Sequence, residues 1–145
     1  MHMEIILALL TQIFNIRQHY YSKEVIEGSL KRANILKLNE DELPLVLDVT
    51  GCSDVSELIV SYNLRYVIFT CGAAFSEVYS ADGLLSHLKT PKVDVADTVG
   101  AGDSFTAAFV TCLLKGMKLK ECHQIAVDIS ASVCTKPGAI NHITL

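Results

Sequence analysis

The sequence has no C-x-x-C pair, no basic run longer than Lys31-Arg32, and no apolar stretch long enough to cross a bilayer. Each absence removes a class of function. The cysteines Cys52, Cys71, Cys112, Cys122 and Cys134 are odd in number and widely spaced, which suits neither a disulfide framework nor a zinc site. Buried thiols in a reducing cytoplasm are the plain expectation. A net charge of -4 with no basic patch argues against a dedicated nucleic-acid binder. The apolar run from Ile5 to Leu10 is too short to span a membrane. Glu4 precedes it, so it also lacks the basic start of a signal peptide. The five histidines share no metal-ligand spacing, and no internal repeat, low-complexity tract or linker interrupts the chain. The expectation is a cytoplasmic protein with neither a nucleic-acid nor a membrane partner.

What is present is a single domain's worth of sequence. Of 145 residues 50% are apolar, enough to bury a core. Ser22 is the expected N-cap of a helix over Lys23 to Lys31, which Gly28 weakens. The short apolar run Ile35 to Leu38 predicts a buried strand that stops at Asn39. Glu40-Asp41-Glu42 has the acidic character of a helix's first turn, with Pro44 tolerable near that start. Ser53-Asp54 opens a helix reaching Tyr62, with Val55, Leu58 and Ile59 on one face. Tyr66 to Thr70 is rich in β-formers and predicts a central strand ending at Cys71-Gly72. Ser76 to Ser80 and Leu84 to Lys89 flank Ala81-Asp82-Gly83, a hairpin signal. Val93 to Val95 is weakly strand-like. Gly100 to Gly102 predict a tight loop, and Asp103 to Leu114 a helix that Gly116 ends. A last helix covers Leu119 to Cys134, closed by Lys136-Pro137-Gly138. Strands alternating with helices, plus one hairpin, give an α/β layered domain with a mostly parallel sheet.

The sharpest chemical signal is Asp97-Thr98-Val99-Gly100-Ala101-Gly102-Asp103-Ser104-Phe105. Three small residues in a row let the backbone approach a ligand closely. The helix that follows aims its free N–H groups and positive dipole end into the loop, which suits an anion such as phosphate. Asp103 sets a carboxylate beside that cradle, where an acceptor hydroxyl would need orienting. Two familiar phosphate loops do not fit. The dinucleotide fingerprint wants a third glycine where Phe105 stands, and a Walker A loop wants Gly-Lys-Ser/Thr. A plain strand-to-helix turn, with Asp103 as a helix-start residue, is the structural alternative.

This nonapeptide resembles the C-terminal signature D-T-x-G-A-G-D of the PfkB (ribokinase-like) carbohydrate kinases. The resemblance implies a three-layer αβα Rossmann-like fold, here as a partial domain. It implies that the amides of Gly100, Ala101 and Gly102 form an anion hole and that Asp103 is the catalytic base. It also implies that Asp97 helps hold a monovalent cation, commonly potassium, although an acid capping the turn explains Asp97 as well. Asn39-Glu40-Asp41-Glu42 is similar to the family's N-x-x-E, which places Asn39 near the nucleotide phosphates and Glu42 near magnesium. Taken alone, an N-capped helix accounts for that pattern. Thr70-Cys71-Gly72 resembles the T-x-G that contacts ATP, although Phe75 stands where many members have glycine. Lys136-Pro137-Gly138-Ala139 resembles the late segment flanking the adenine and cation sites, with Gly138 carried over. Asn15 and Arg17 match an N-x-R whose arginine can lie close to phosphates; a surface arginine is the alternative.

The resemblance runs over residues 15–145 and matches only the second half of complete members, which are about twice as long. Residues 1–14 are expected to be unrelated sequence, as a truncated or shifted reading frame would give. The glycine-rich sugar-binding segment and the β-sheet lid of the first half have no counterpart. The expected activity is ATP-dependent phosphorylation of a sugar hydroxyl, with ATP, Mg2+ and K+ as cofactors, a fructokinase-like acceptor, and turnover impaired in this length of chain. A non-catalytic nucleotide-binding module or inactive kinase remnant is the alternative. A third reading is a structural subunit that completes its sheet with another chain. An uncovered sheet edge leads to the expectation of a homo-oligomer.

Overall fold

The computed structural model describes residues 22–97 and 100–136. They fall into two compact units, one from residues 22–72 and 77–87, the other from residues 73–76, 88–97 and 100–136.

In the first unit the caps set the helix boundaries. Helix α1 (Lys23–Arg32) starts where the Ser22 hydroxyl accepts the Val25 N–H at 3.2 Å, with Glu24 in its first turn and Lys31 and Arg32 in its last. It buries Ile26 and Leu30. Strand β1 (Ile35–Asn39) follows, then α2 (Glu42–Thr50), which ends in Gly51 at φ 72. Helix α3 (Val55–Tyr62) has a reciprocal cap: Asp54 accepts the Glu57 N–H at 2.9 Å while Glu57 accepts the Ser53 N–H at 2.6 Å. Strand β2 (Tyr66–Cys71) runs parallel to β1, in register from Ile35 opposite Tyr66 to Asn39 opposite Thr70. Leu36, Leu38 and Val67 of these strands are buried with Leu30, Leu58 and Ile59 of the helices. A strand covered this completely loses the polar alternation of a half-exposed one, hence the continuous apolar run in the sequence.

Strands β3 (Phe75–Ser80) and β4 (Gly83–Lys89) complete a four-stranded sheet in the order β1-β2-β3-β4. Its connections of two and three residues are too short for parallel crossovers, so the expected mostly parallel sheet is mixed among the described strands. Gly83 turns the hairpin at φ 104, a conformation closed to other residues without strain.

The second unit is built on α4 (Ala101–Leu114) packed against α5 (Leu119–Cys134). Phe105, Ala108, Phe109 and Cys112 of α4 and Cys122, Ala126 and Val127 of α5 are buried. Phe105 stacks on Phe109 with centroids 6.5 Å apart and meets the edge of His123 at 6.0 Å. His123, at 0% exposure, keeps a polar partner in the Ser76 hydroxyl, 2.8 Å from Nε2.

Two expectations change. Val93 to Val95 form no strand; both valines are exposed and the segment belongs to no ladder, so its alternation reflects an extended connection. Ala101 and Gly102 belong to the first turn of α4, with only Gly100 outside it as the N-cap. Helix propensity points to a later start because Gly is a poor helix former, but the first turn carries few intrahelical bonds to weaken. Among the described residues no helix is long and apolar enough to cross a membrane.

Candidate functional site

The candidate residues divide between the units. Asn39, Glu42, Thr70 and Gly72 belong to the first; Asp97, Gly100, Ala101, Gly102 and Asp103 belong to the second. Gly138, like Asn15, Arg17, Thr98 and Ala139, lies outside the described residues.

In the first unit the site is formed by the ends of two parallel strands. Asn39 closes β1 and is the register partner of Thr70, the next-to-last residue of β2, so both sit at the carboxyl edge of the sheet. That edge is where open α/β sheets take ligands. Asn39 also makes the turn into α2. Its Oδ1 accepts the N–H groups of Asp41 and Glu42, each at 2.9 Å, and Glu42 Oε2 accepts the Asn39 N–H at 2.9 Å. The N-x-x-E pattern is thus a reciprocal capping box. The box uses one oxygen of each side chain and leaves the Asn39 amide nitrogen and Glu42 Oε1 without a partner among the described residues. A single carboxylate oxygen of this kind fits magnesium, which keeps most of its waters and takes one or two carboxylates. Among the described residues no three His, Cys, Asp or Glu side chains gather as a metal site.

Gly72 follows β2 at φ 48, in the left-handed region. A Cβ built there would stand 3.3 Å from Glu40 Oε1, so the loop after β2 closes tightly on the loop after β1. The Glu40 carboxylate first, and then desolvation, push the Cys71 thiol pKa up. Glu40 was legible in the sequence only as one acid of a helix start; nothing in the residue pattern reveals its contact with Gly72.

In the second unit the site is a bare helix end. Gly100, at φ 82, is the N-cap of α4, and no side chain among the described residues caps the fourteen-residue helix. The Ser104 N–H returns to the Gly100 carbonyl at 2.9 Å, and no acceptor among the described residues takes the N–H groups of Ala101, Gly102 and Asp103. Gly102 and Asp103 are exposed and Ala101 is half-buried, all on one turn. A left-handed glycine ahead of an uncapped helix is a concave cluster of N–H groups with the helix dipole behind it, which fits an oxyanion. The turn is braced from behind. Ser130 of α5 donates its hydroxyl to the Ala101 carbonyl at 3.1 Å. The N–H groups of Ala96 and Asp97 both reach the Cys134 carbonyl, at 2.9 and 3.2 Å. No motif in the sequence singles out Ser130 or Cys134.

The pfkB family carbohydrate kinase model matches residues 6–144. A ribokinase of Arabidopsis thaliana is 45% identical over 118 residues, covering 77% of this chain and 31% of that protein. The nucleoside kinase of Methanocaldococcus jannaschii, an archaeal member of the ribokinase family, superposes with a TM-score of 0.76 at 24% identity, over 85% of this chain and 40% of that one. A ribokinase II of E. coli in complex with ATP and Mg2+ superposes with a TM-score of 0.70 at 23% identity, over 89% of this chain and 41% of that one. The two structures share the fold of the described residues. The chain spans about a third of the length of the curated relatives it matches.

Proposed function

Because this chain belongs to the pfkB family of carbohydrate kinases, we propose that it carries the nucleotide-binding and catalytic part of an enzyme that phosphorylates a hydroxyl of a sugar or nucleoside. The observation that carries this reading is the start of α4, where three N–H groups without an acceptor among the described residues sit on the same turn as the exposed Asp103. Preorganised donors of this kind stabilise charge that develops on a transferring phosphoryl group.

In the proposed reaction the acceptor hydroxyl oxygen bonds to the γ-phosphorus of ATP while the bond to the β–γ bridging oxygen breaks and ADP leaves. The hydroxyl proton passes to the Asp103 carboxylate. In a loose transfer this base orients the hydroxyl and takes the proton late, so an ordinary carboxylate is basic enough. Gly100, Ala101 and Gly102 are assigned to the anion hole, and the Asp103 N–H on the same turn is a further donor. Asn39, Thr70, Gly72 and Gly138 are assigned to the nucleotide, Glu42 to magnesium through its waters, and Asp97 to potassium. Magnesium, when bound, neutralises phosphate charge. The described relatives act on ribose and on nucleosides, and resemblance to fructokinases adds fructose to the acceptors to screen. Turnover by this chain alone is expected to be slow.

The test is the thermal midpoint of the purified chain with and without MgATP and K+, followed by mass spectrometry of ribose, fructose and inosine incubated with both. A midpoint rise that Gly100→Ala abolishes supports the reading. The absence of any shift with MgATP sinks it.

A further inference from the structure

We infer that Ser130 is a positioning residue for the candidate catalytic turn: its hydroxyl fixes the direction of the Gly102 N–H. The inference rests on the reading that the start of α4 receives the transferring phosphoryl group. Ser130 Oγ donates to the Ala101 carbonyl at 3.1 Å. That carbonyl and the Gly102 N–H are the two ends of one planar peptide unit. A trans unit points its N–H opposite its oxygen, so a donor that holds the oxygen aims the N–H away from itself. The same bond polarises the unit and makes its N–H a stronger donor. The Gly102 N–H is one of the three groups at this turn with no acceptor among the described residues.

Two features set this bond apart from ordinary helix packing. First, a serine inside a helix can turn its hydroxyl back to the carbonyl four residues earlier, whereas Ser130 directs it across to α4, twenty-nine residues away in sequence. Second, Ser130 belongs to a row of contacts by which α5 follows the motif. His123 and Ser130 lie two turns apart on one face of α5, and Cys134 ends the helix one turn later. His123 meets Phe105 edge-on, Ser130 holds Ala101, and the Cys134 carbonyl takes the N–H groups of Ala96 and Asp97. The motif is thus tied to α5 on both sides of Gly100. Ala101 stands between two glycines, where the backbone has the most freedom to lose. A hydroxyl that removes this freedom before an anion arrives supplies the preorganisation on which electrostatic catalysis depends.

Ser130→Ala and Ser130→Thr in the full chain separate aiming from packing, because threonine keeps the hydroxyl and alanine removes it. Single-turnover phosphoryl transfer from MgATP is expected to fall about tenfold in Ser130→Ala, with a smaller loss of MgATP affinity. Ser130→Thr should stay within about threefold of the wild type. A Ser130→Ala variant that transfers like the wild type overturns the inference. An equal loss in both variants overturns it as well, since that result assigns the effect to packing.

A second readout needs no nucleotide. In two-dimensional amide NMR spectra the Gly102 cross-peak should move in Ser130→Ala and return in Ser130→Thr. The cross-peak of Gly116, beyond the far end of α4, should stay in place in both. An unmoved Gly102 cross-peak in Ser130→Ala overturns the inference whatever the kinetics. A moved and restored cross-peak in a chain that transfers no phosphate leaves the positioning standing and removes the phosphoryl reading. Transfer with an unmoved cross-peak does the reverse.

Discussion

Asn39 and Thr70 face each other as the last register partners of the parallel pair β1–β2. They are thirty-one residues apart in sequence, and two helices intervene. The parallel register brings an amide side chain and a hydroxyl side chain to one end of the sheet, the end at which α/β folds bind ligands. Asn39 has a second duty there, since its Oδ1 caps the first turn of α2. The two duties can be separated by substitution.

Asn39→Ser should keep the cap, because a serine oxygen reaches the same N–H groups, and Asn39→Ala should lose about 1 kcal/mol. Urea unfolding of both variants checks this. If Asn39 also contacts the nucleotide, both variants lose MgATP affinity while only the alanine variant loses stability. Equal affinity in all three proteins would leave Asn39 as a cap alone.

Gly100→Ala forces a Cβ into a left-handed conformation at φ 82, at a cost of about 1–2 kcal/mol. The turn is expected to relax and misdirect the N–H groups of Ala101 to Asp103. The thermal shift with MgATP should then shrink by more than the drop in intrinsic midpoint. A variant of normal shift would separate this turn from phosphate binding.

Asp103→Asn keeps the size and exposure of the side chain and removes its basicity. Phosphoryl transfer should fall by about two to four orders of magnitude, with MgATP affinity nearly unchanged. Single-turnover transfer and a binding titration measure the two separately. Loss of both together would make Asp103 part of the nucleotide cradle.

Ser76→Ala removes the hydroxyl beside the fully buried His123 Nε2. A buried polar group deprived of a partner costs about 1–3 kcal/mol, so the urea midpoint should fall accordingly. Ser76→Thr, which keeps a hydroxyl, tests whether the loss comes from the hydrogen bond.

Stability should decline at alkaline pH. Burial first, and then the hydrogen bond to Glu77, push the Tyr79 phenol from 10.0 up to about 12. Between those values the unfolded chain has released a proton that the folded chain still holds. The Tyr79 contribution is therefore complete below pH 10 and is lost as pH rises toward 12. Burial moves Cys122 in the same sense, from 9.0 to about 11. Urea midpoints across this range should fall with pH, and less steeply in Tyr79→Phe.

Local chemistry made much of this legible in advance. Ser22 and Asp54 cap the helices they precede, and the hairpin turns at Asp82-Gly83. The glycine-rich run at the start of α4 was legible as a sharp turn into a helix because its dihedral demand falls on residues adjacent in sequence. Val93 to Val95 misled because alternation without a ladder partner has nothing to stabilise it, and pairing is not a local property.

The sequence by itself determined most of the element order, the family and the location of the candidate catalytic turn, since these rest on short-range patterns and on a motif read in one stretch. Only the tertiary structure decided that Thr70 lies beside Asn39, that Glu40 closes on Gly72, and that Ser130 braces Ala101. Each joins residues far apart or on separate elements. Such partners are chosen by strand register and helix packing, which depend on the whole buried surface and leave no local mark.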